Sequence, residues 1–522
     1  MRAGVNDFLR SIIGLGIYVF GLVATGLMRL RMLCYRRNQR RLKRKYGITR
    51  DTSVLSYGPQ VVQAIATKKH KMAASNILCF FAATSGSTGE AKQILYTKLR
   101  LRALKFTFSE MFASACYAFS IKRTSLYVFN SFERDASLTS LLLDEHNLPS
   151  YTSTLQAPYR VQHSPTIRAL AAKYGSAAVR LWILTISNPG VLYSTNPSTI
   201  STFLGELERD WHRSSKLIRD WYTAAASFTP EVHKIARRLE SYGCNERVKQ
   251  IATSDAPLPL SSCAPAVETY ICWTGGYVKP FLDRLEKQLP SSRYKLIPMY
   301  SMSTETIETL PYFRGDAFFP IAAGVVYEFT GEKTPNHAES LLNADQLEPG
   351  KLYAMVVSDA YGLQRYQTDD LFLCRRKING LPDLAFVRRR NLEYSFTGEK
   401  LTAEQLTIVF DQLRALYPSL LADRFLTCVP AQSSDAVPHY ELLLVGDQHG
   451  SPDSIHDLIA GRCDELLGEI NCEYRSKRSS GRLGPIQCTH ADIRDFAETF
   501  SNNSAWETQF KFLPLLRNPV LI

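Results

Sequence analysis

The sequence contains no C-x-x-C pair, no Cys/His spacing typical of a metal site, and no internal repeat or low-complexity tract. These absences argue against a zinc-binding domain and against a repeat architecture. The 11 cysteines are scattered along 522 residues, which is typical of a protein kept in a reducing compartment. We therefore expect most of them to be small, buried apolar side chains.

A basic surface on the main body of the protein is also missing. Of the 62 Lys and Arg residues, 12 lie within residues 1–50, together with only one of the 49 acidic residues. The rest of the chain carries 50 basic and 48 acidic side chains and is nearly neutral. A nucleic-acid partner is therefore not expected, since nucleic-acid-binding domains carry a basic patch.

The N-terminal segment is apolar and then strongly basic. Residues 12–28 read IIGLGIYVFGLVATGLM, with no charge in 17 positions. As a helix they would be about 26 Å long, close to the ~30 Å hydrocarbon thickness of a bilayer. Nine basic residues and no acidic one follow within residues 29–45, a flank that stays cytoplasmic and suits anionic headgroups. The pattern predicts attachment through residues 12–28 to the cytoplasmic face of a membrane.

Two other interpretations of this segment stay open. One is an N-terminal helix that packs on the protein and is followed by a solvated basic turn, in which case the protein is simply cytoplasmic. The other is a cleaved targeting segment, although the basic cluster just beyond the small residues 24–26 opposes translocation.

Short apolar runs alternate with helix-like segments through the rest of the chain, which predicts an α/β fold. Helices are expected at residues 98–121, 198–226 and 454–470. Strands are expected at residues 180–186, 294–300, 324–329, 351–357 and 440–447.

A domain boundary is predicted near Arg390, where a strand-rich section ends. Beyond it, Thr402 and Gln405 have the spacing of a capping box, which would begin a helix that ends before Pro418. The predicted organisation is a membrane-anchor segment 1–50, a large domain 51–390 and a small α+β domain 391–522.

Residues 84–92 read TSGSTGEAK and lie between two apolar, strand-like runs. Glycines let backbone N–H groups approach an anion, hydroxyls add hydrogen bonds and a lysine adds charge, so this composition suits phosphate. The spacing differs from that of the common G-x-x-x-x-G-K-[ST] phosphate loop. On the residues alone, a phosphate loop and a polar hairpin turn stay equally open.

Further motifs follow this loop in a recognisable order. The loop itself resembles the T-S-G-[ST]-T-G-x-x-K element of adenylate-forming enzymes. Five later segments of this chain resemble the further elements of those enzymes: ICWTGGY (271–277), MYSMSTE (299–305), RYQTDDL (365–371), FVRRRNLEYSFTGEKLT (386–402) and the tail TQFKFLPLLRN (508–518). Over roughly residues 60–520 the chain resembles one branch of these enzymes, the auxin-responsive (Gretchen Hagen) acyl acid–amido synthetase family.

This resemblance implies a large N-terminal adenylate-forming domain, α/β with a β-barrel element, and a small mobile α+β C-terminal domain. It implies a monomeric ligase that uses ATP and Mg²⁺ and acts on small-molecule acids and amines. A substrate carboxylate attacks the α-phosphate of ATP to give an acyl-adenylate and pyrophosphate; an amine, commonly from an amino acid, then releases AMP. Two alternatives stay open: a thiol acceptor such as coenzyme A, and a membrane-tethered member without catalysis.

The resemblance also implies a role for each matching residue. Glu305 would bind magnesium, and Thr304 would contact the α-phosphate or the carboxylate. Asp370 would accept both ribose hydroxyls, Arg389 would steady ribose or phosphate, and Lys511 would contact the reacting carboxylate. The residues expected around the phosphates and the adenine are Ser85, Gly86, Ser87, Thr88, Gly89, Lys92, Trp273 and Gly275.

Three positions depart from the family's pattern. Tyr300 lies five residues before Glu305, where the family usually has four, so that either the tyrosine is displaced or Ser301 takes its place. Asp369 replaces the glycine of the ribose motif, which adds negative charge beside the expected nucleotide and strains the turn. Gln364 stands where the family often has tyrosine.

Overall fold

Helices and strands alternate through the computed structural model, in which we describe residues 2–56, 58–83, 92–130, 132, 138, 164–275, 278–332, 340–390, 393–396, 399, 401–421, 423–431, 437–446, 453–481, 483–500 and 512–516. The helices are α1 (Arg2–Leu33), α2 (Tyr35–Tyr46), α3 (Pro59–Ala74), α4 (Lys98–Ala118), α5 (Pro165–Tyr174), α6 (Ser176–Ser187), α7 (Pro197–Arg209), α8 (Trp211–Ala224), α9 (Pro230–Leu239), α10 (Cys244–Ala252), α11 (Leu260–Cys263), α12 (Lys279–Gln288), α13 (Ala403–Leu416), α14 (Pro418–Leu421), α15 (Asp453–Ile470), α16 (Cys472–Ser479) and α17 (Ile493–Phe500).

The strands belong to six small sheets. They are β1 (Cys79–Ala83), β2 (Gln93–Thr97), β3 (Leu126–Val128), β4 (Val191–Tyr193), β5 (Thr269–Cys272), β6 (Lys295–Pro298), β7 (Ser301–Met302), β8 (Ile307–Tyr312), β9 (Ala317–Phe319), β10 (Val326–Gly331), β11 (Leu352–Ser358), β12 (Tyr366–Ile378), β13 (Leu381–Arg389), β14 (Glu393–Tyr394), β15 (Leu401–Thr402), β16 (Phe425–Ala431), β17 (His439–Val445) and β18 (Gln487–Ala491).

A parallel sheet of order β3-β4-β5-β6 organises the first part of the body. Parallel neighbours need long crossover connections, and helices provide them here. The helices pack on the sheet around one buried core that includes Tyr127, Trp182, Phe203 and Tyr270. The α/β architecture expected from the sequence is confirmed.

Two predictions of local structure in this region were wrong. Residues 180–186, expected as a strand, lie in α6, where every residue from Ala178 to Ser187 is buried. A helix enclosed on all sides needs no polar face, so its apolar run looks like that of a buried strand. The single helix expected at residues 198–226 is two helices, because the Asp210 side chain accepts a hydrogen bond of 3.1 Å from the N–H of Arg213 and caps α8.

Antiparallel sheets dominate the second part of the body. β10-β11-β12-β13 form one sheet, β7-β8-β9 another, and β1-β2 a hairpin. The strands expected at residues 294–300, 324–329 and 351–357 are β6, β10 and β11, and the helix expected at 98–121 is α4. Their side chains share a second buried core. β12 begins with Tyr366, a residue of the RYQTDDL motif.

The C-terminal part has a hydrophobic core largely of its own, in which α13 and α15 pack on the mixed sheet β16-β17-β18. The predicted capping box begins α13. Thr402 Oγ1 accepts from the N–H of Gln405 at 3.2 Å, and Gln405 Oε1 accepts from the N–H of Thr402 at 3.1 Å. β17 and α15 are the strand and helix expected at residues 440–447 and 454–470.

Helix α1 lies against the body, with α4 as its main neighbour. A Cβ atom at Gly21 would stand 2.1 Å from the carbonyl oxygen of Ala113, so the two helix backbones are in direct contact. Arg31 donates to both carboxylate oxygens of buried Glu110 at 2.9 Å. Within the described chain, Ser11–Leu33 is the stretch whose length and composition would allow it to cross a membrane.

Helix α2 is tied to the antiparallel sheet through Glu328 of β10. Glu328 Oε1 lies 2.8 Å from Lys43 Nζ, and Oε2 lies 3.0 Å from Arg365 Nε. Arg365 also donates to the carbonyl oxygen of Thr52 at 2.6 Å. Burial alone raises the pKa of Glu328, but the hydrogen bonds and charges of Arg365 and Lys43 outweigh it and hold this pKa below its ordinary value. Glu328 is therefore a buried carboxylate between two cations.

All eleven cysteines are free, and seven of them are buried. Burial raises the pKa of both Cys116 and Cys263 to about 12. These side chains remain thiols at neutral pH and fill apolar space, as expected from the sequence.

Candidate active site

The candidate phosphate loop connects two paired strands. β1 and β2 pair antiparallel from Cys79 opposite Thr97 to Ala83 opposite Gln93, which leaves residues 84–92 as the connection. Hairpin connections usually have about two to five residues, so a longer one favours a functional loop. Lys92 is described at its end, whereas Ser85, Gly86, Ser87, Thr88 and Gly89 lie outside the described residues.

Lys92, Glu305 and Tyr366 meet at the end of this loop. Lys92 Nζ lies 3.6 Å from Glu305 Oε1 and donates to the Tyr366 hydroxyl at 3.0 Å. That hydroxyl donates in turn to Glu305 Oε1 at 3.1 Å. Glu305 is 5% exposed and Tyr366 is fully buried, so the charges interact in a medium of lower dielectric than water. The sequence motifs indicated Lys92 and Glu305 as site residues but not Tyr366, which stands in the RYQTDDL motif.

Arg100, in the first turn of α4, holds the backbone of Glu305. Its guanidinium donates to the carbonyl oxygens of Glu305 at 2.6 Å and of Leu95 at 2.7 Å, and it pairs with Asp359 at 3.0 Å. One guanidinium therefore joins β2, α4, the Glu305 segment and the approach to β12. No sequence signal marked Arg100 as a site residue, because its contact with Glu305 joins positions 205 residues apart.

Thr304 is fixed through its carbonyl oxygen, which accepts a hydrogen bond of 2.7 Å from the Tyr96 hydroxyl. Burial raises the pKa of Tyr96 to about 12, against the opposing charge of Arg100. The hydroxyl therefore keeps its proton at neutral pH and remains a donor. Because Thr304 directly precedes Glu305, this bond ties the segment that carries Glu305 to β2. The contact of Thr304 with the α-phosphate or the carboxylate stays a prediction.

Asp370 and Arg389 are paired across β12 and β13. Asp370 is half-buried, and its N–H donates to Thr368 Oγ1 at 3.2 Å. Tyr366 stands four residues earlier on β12, and the register of β12 against β11 shifts between Gln367 and Leu371. One strand therefore carries both the Glu305 contact and the residue expected at the ribose. The Arg389 side chain is outside the described part of the chain.

Asp369 adopts a φ angle of +64°, in the left-handed region that favours glycine. Gln367 Nε2 donates to the Asp369 carboxylate, and the N–H of Arg390 donates to its carbonyl oxygen at 2.6 Å. The strained backbone expected from replacing the family's glycine is therefore present.

Asp369→Asn and Asp369→Gly separate the effect of charge from that of strain. If the carboxylate repels nucleotide phosphates, both variants should lower the KM for ATP about fivefold. Unit charges roughly 16 Å apart interact by about 1 kcal/mol at an effective dielectric constant of about 20. Asparagine keeps a side chain at the left-handed position, and glycine removes it. Steady-state kinetics over a range of ATP concentrations measures this, and improvement by glycine alone would assign the effect to strain.

Trp273 and Gly275 follow β5 and pack on β13. The Trp273 ring lies 5.2 Å from the Phe386 ring between centroids. A Cβ atom at Gly275 would stand 3.2 Å from Trp273 Nε1 and 3.4 Å from Phe386 Cβ, so glycine allows this close packing. Trp273 is half-buried, and the arrangement leaves one wall of the expected adenine site next to the strand that carries Arg389.

The other two departures from the family's pattern are at Tyr300 and Gln364. Tyr300 is buried in the core of the body, and Ser301 donates to Glu308 of β8 at 2.5 Å. Gln364 is exposed and donates to the carbonyl oxygen of Tyr46 at 3.2 Å. These side chains therefore serve packing and surface contacts in the structure.

Glu305 has the ligand chemistry that magnesium requires. Throughout the described ranges, no group of three or more His, Cys, Asp or Glu side chains is close enough to hold a metal ion. A single carboxylate nevertheless suits Mg²⁺, which is commonly bound by one or two carboxylates with phosphate oxygens and water. Lys511, expected at the reacting carboxylate, lies outside the described residues.

Comparison with solved structures identifies the fold. The chain superposes on a GH3.15 acyl acid amido synthetase with a TM-score of 0.65 and 17% identity, covering 90% of this chain and 85% of the other. It superposes on AtGH3.15 in complex with 2,4-DB with a TM-score of 0.63 and 17% identity, covering 84% and 80%. The chain therefore has the fold of an acyl acid amido synthetase, including the separate C-terminal unit.

Sequence comparison finds two matching family domains. Residues 318–389 match the GH3 family central domain, and residues 404–520 match the GH3 family C-terminal domain. The indole-3-acetic acid-amido synthetase GH3.3 of Arabidopsis thaliana is 26% identical over 176 residues, which are 32% of this chain and 29% of that protein. The jasmonoyl–L-amino acid synthetase GH3.5 of Oryza sativa subsp. japonica is 24% identical over 232 residues, 43% and 38% of the two chains. The chain is therefore similar to the GH3 family over these two domains, and the resemblance of its motifs to that family is confirmed. It spans only 29% and 38% of the length of these two curated relatives.

Proposed function

We propose that this protein is an ATP-dependent acyl acid–amido synthetase that adenylates a carboxylic acid and transfers the acyl group to an amine. The observation that carries the proposal is the cluster of Lys92, Glu305 and Tyr366 at the end of loop 84–92. Its relatives carry names of amide-forming synthetases, which favours an amino acid as the acceptor.

The cluster suits the first chemical step. The substrate carboxylate attacks the α-phosphorus of ATP, the bond to the bridging oxygen breaks, and pyrophosphate leaves. Lys92 would neutralise charge on the departing phosphates, and Tyr366 would keep the Glu305 carboxylate oriented through its hydrogen bond. Mg²⁺ held at Glu305 would supply further charge neutralisation on the phosphate oxygens. Asp370 would hold the ribose hydroxyls and so fix the α-phosphate in line with the carboxylate.

ATP–pyrophosphate exchange tests the adenylation step. Purified protein is offered a panel of acids that includes indole-3-acetic acid and 2,4-DB, and incorporation of labelled pyrophosphate into ATP is measured. Absence of both exchange and nucleotide binding would favour a non-catalytic member, which the carboxylate of Asp369 keeps as the second candidate. Mass spectra of products formed with amino acids or with coenzyme A then distinguish an amide synthetase from a thiol-acylating ligase.

Asp370→Ala should raise the KM for ATP by about 100-fold or more. Hydrogen bonds to a charged group contribute roughly 1.5–3 kcal/mol, and the variant removes both of the bonds proposed to the ribose. Exchange rates across a range of ATP concentrations measure KM, with Asp255→Ala, whose side chain is 99% exposed, as the control. An unchanged KM in Asp370→Ala would remove this residue from the nucleotide site.

We also propose that the protein attaches to a membrane through residues 12–28, with the body on the cytoplasmic face. The length and composition of Ser11–Leu33 support attachment, as does the basic run that follows. Fractionation of cells that express the full chain tests it: the protein should sediment with membranes and be released by detergent. Recovery of the full chain in the supernatant without detergent would contradict attachment.

A further inference from the structure

One face of α1 is apolar and exposed along most of its length. Nine large side chains spaced three or four residues apart, with two adjacent pairs, form this apolar stripe: Ile12, Leu15, Tyr18, Val19, Leu22, Val23, Leu27, Leu30 and Leu33. Leu15 is 67% exposed and Leu33 is 78% exposed. A continuous apolar surface of this kind marks an interaction site.

The exposed stripe changes from apolar to basic at α2. With the same spacing of three or four residues, its outward-facing side chains become a basic stripe of Arg37, Arg40, Arg41, Arg44 and Lys45, whereas Arg36 pairs with Asp345 of the body at 3.0 Å. No acidic residue lies between residues 8 and 50. The partner must therefore accept apolar side chains and carry negative charge beside them, which describes the headgroup region of an anionic bilayer.

The opposite face of α1 prevents this helix from crossing the bilayer as it stands. Gly14, Gly21, Ala24, Met28 and Met32 are buried against the body. α4, which packs on this face, carries charged side chains at residues 98, 100, 102, 105 and 110, and charges are costly in hydrocarbon.

We infer that α1 lies in the plane of an anionic membrane, with the apolar stripe in the headgroup and acyl-chain boundary and the basic stripe on the lipid phosphates. This inference rests on the proposed membrane attachment and replaces a spanning anchor by a helix that stays packed on α4. A second copy of the chain is a poorer partner, because it would add the same cluster of positive charge. The membrane would then contact the side of the body that carries α4, whose first turn holds Glu305 through Arg100.

Vesicle flotation of the full chain tests the partner. The protein should float with vesicles of phosphatidylcholine and phosphatidylserine and much less with phosphatidylcholine alone. The double change Leu15→Gln and Leu22→Gln should weaken binding about 100-fold, whereas the matched pair Leu416→Gln and Leu458→Gln, exposed leucines of the C-terminal part, should leave it unchanged. Arg37→Gln, Arg40→Gln and Arg44→Gln together should weaken binding to the mixed vesicles about 100-fold.

Depth measurement tests the orientation. Tryptophans placed singly by Leu15→Trp, Leu22→Trp and Leu30→Trp should all be quenched equally by lipids brominated near the headgroup. A profile in which Leu22→Trp is quenched best by bromines at the end of the acyl chain would show a spanning helix and overturn the in-plane inference alone. Failure of the wild type to bind either vesicle would overturn attachment as well. A dimer without lipid that the Leu15→Gln and Leu22→Gln change dissociates would assign the stripe to a second copy.

Discussion

Replacing Glu305 by glutamine should reduce ATP–pyrophosphate exchange by about 100-fold with any acid that the wild type adenylates. Glutamine has nearly the same shape and still accepts the hydrogen bond from Tyr366, so the change removes mainly the negative charge. That charge is the proposed magnesium ligand and the partner of Lys92. Metal-borne charge stabilisation is worth several kcal/mol, and each factor of ten in rate corresponds to about 1.4 kcal/mol.

Glu308→Gln is the matched control for this variant. Glu308 is 2% exposed and stands three residues farther along the chain, but its carboxylate accepts from Ser301. We expect it to lower the melting temperature while exchange per folded molecule stays near the wild-type rate. A titration of ATP binding with Mg²⁺ gives a second readout that is independent of the acid. Wild-type exchange in Glu305→Gln, or an equal loss in both variants, would contradict the assignment.

The parts of the candidate site that the sequence predicted are those carried by contiguous polar motifs. Lys92 and Glu305 were found because loop 84–92 and MYSMSTE are short, ordered patterns, and the structure brings the two residues together. Arg100 was missed because nothing local distinguishes it from any other arginine in the first turn of a helix. Its role depends on a tertiary contact with Glu305, and such contacts leave no spacing rule in a single sequence.

The fold was predictable where an element has its own local signal. The capping box at Thr402 predicted where α13 begins, and alternation of strands and helices predicted the α/β class. Residues 180–186 gave no such signal, since a continuous apolar run fits a buried helix and a buried strand equally well. The N-terminal segment shows the same limit: its apolar length suggested an isolated anchor, whereas the contact between Gly21 and Ala113 depends on tertiary packing.

Replacing Glu328 by glutamine should cost on the order of 3 kcal/mol of the free energy of unfolding, because removing one member of a buried ion pair leaves its partner uncompensated. Here the uncompensated groups are Arg365, nearly fully buried, and Lys43 of α2. The melting temperature should fall by roughly 4 °C for a body of this size. Glu348→Gln is the matched control, since Glu348 pairs with Lys351 at 2.7 Å on the exposed surface and such pairs contribute about 0–1 kcal/mol.

The loss of unfolding free energy in Glu328→Gln should depend on pH in a defined direction. The folded-state pKa of Glu328 lies below its ordinary value of 4.5, so its contribution to stability is fully present above that value and is lost as pH falls through the folded-state pKa. The difference in melting temperature between wild type and variant should therefore be constant around neutral pH. It should disappear in acid, where protonated Glu328 resembles glutamine. Thermal melts of both proteins across this range measure the difference. A difference that stays equally large in acid would mean that the carboxylate's shape, and not its charge, holds α2 on the sheet.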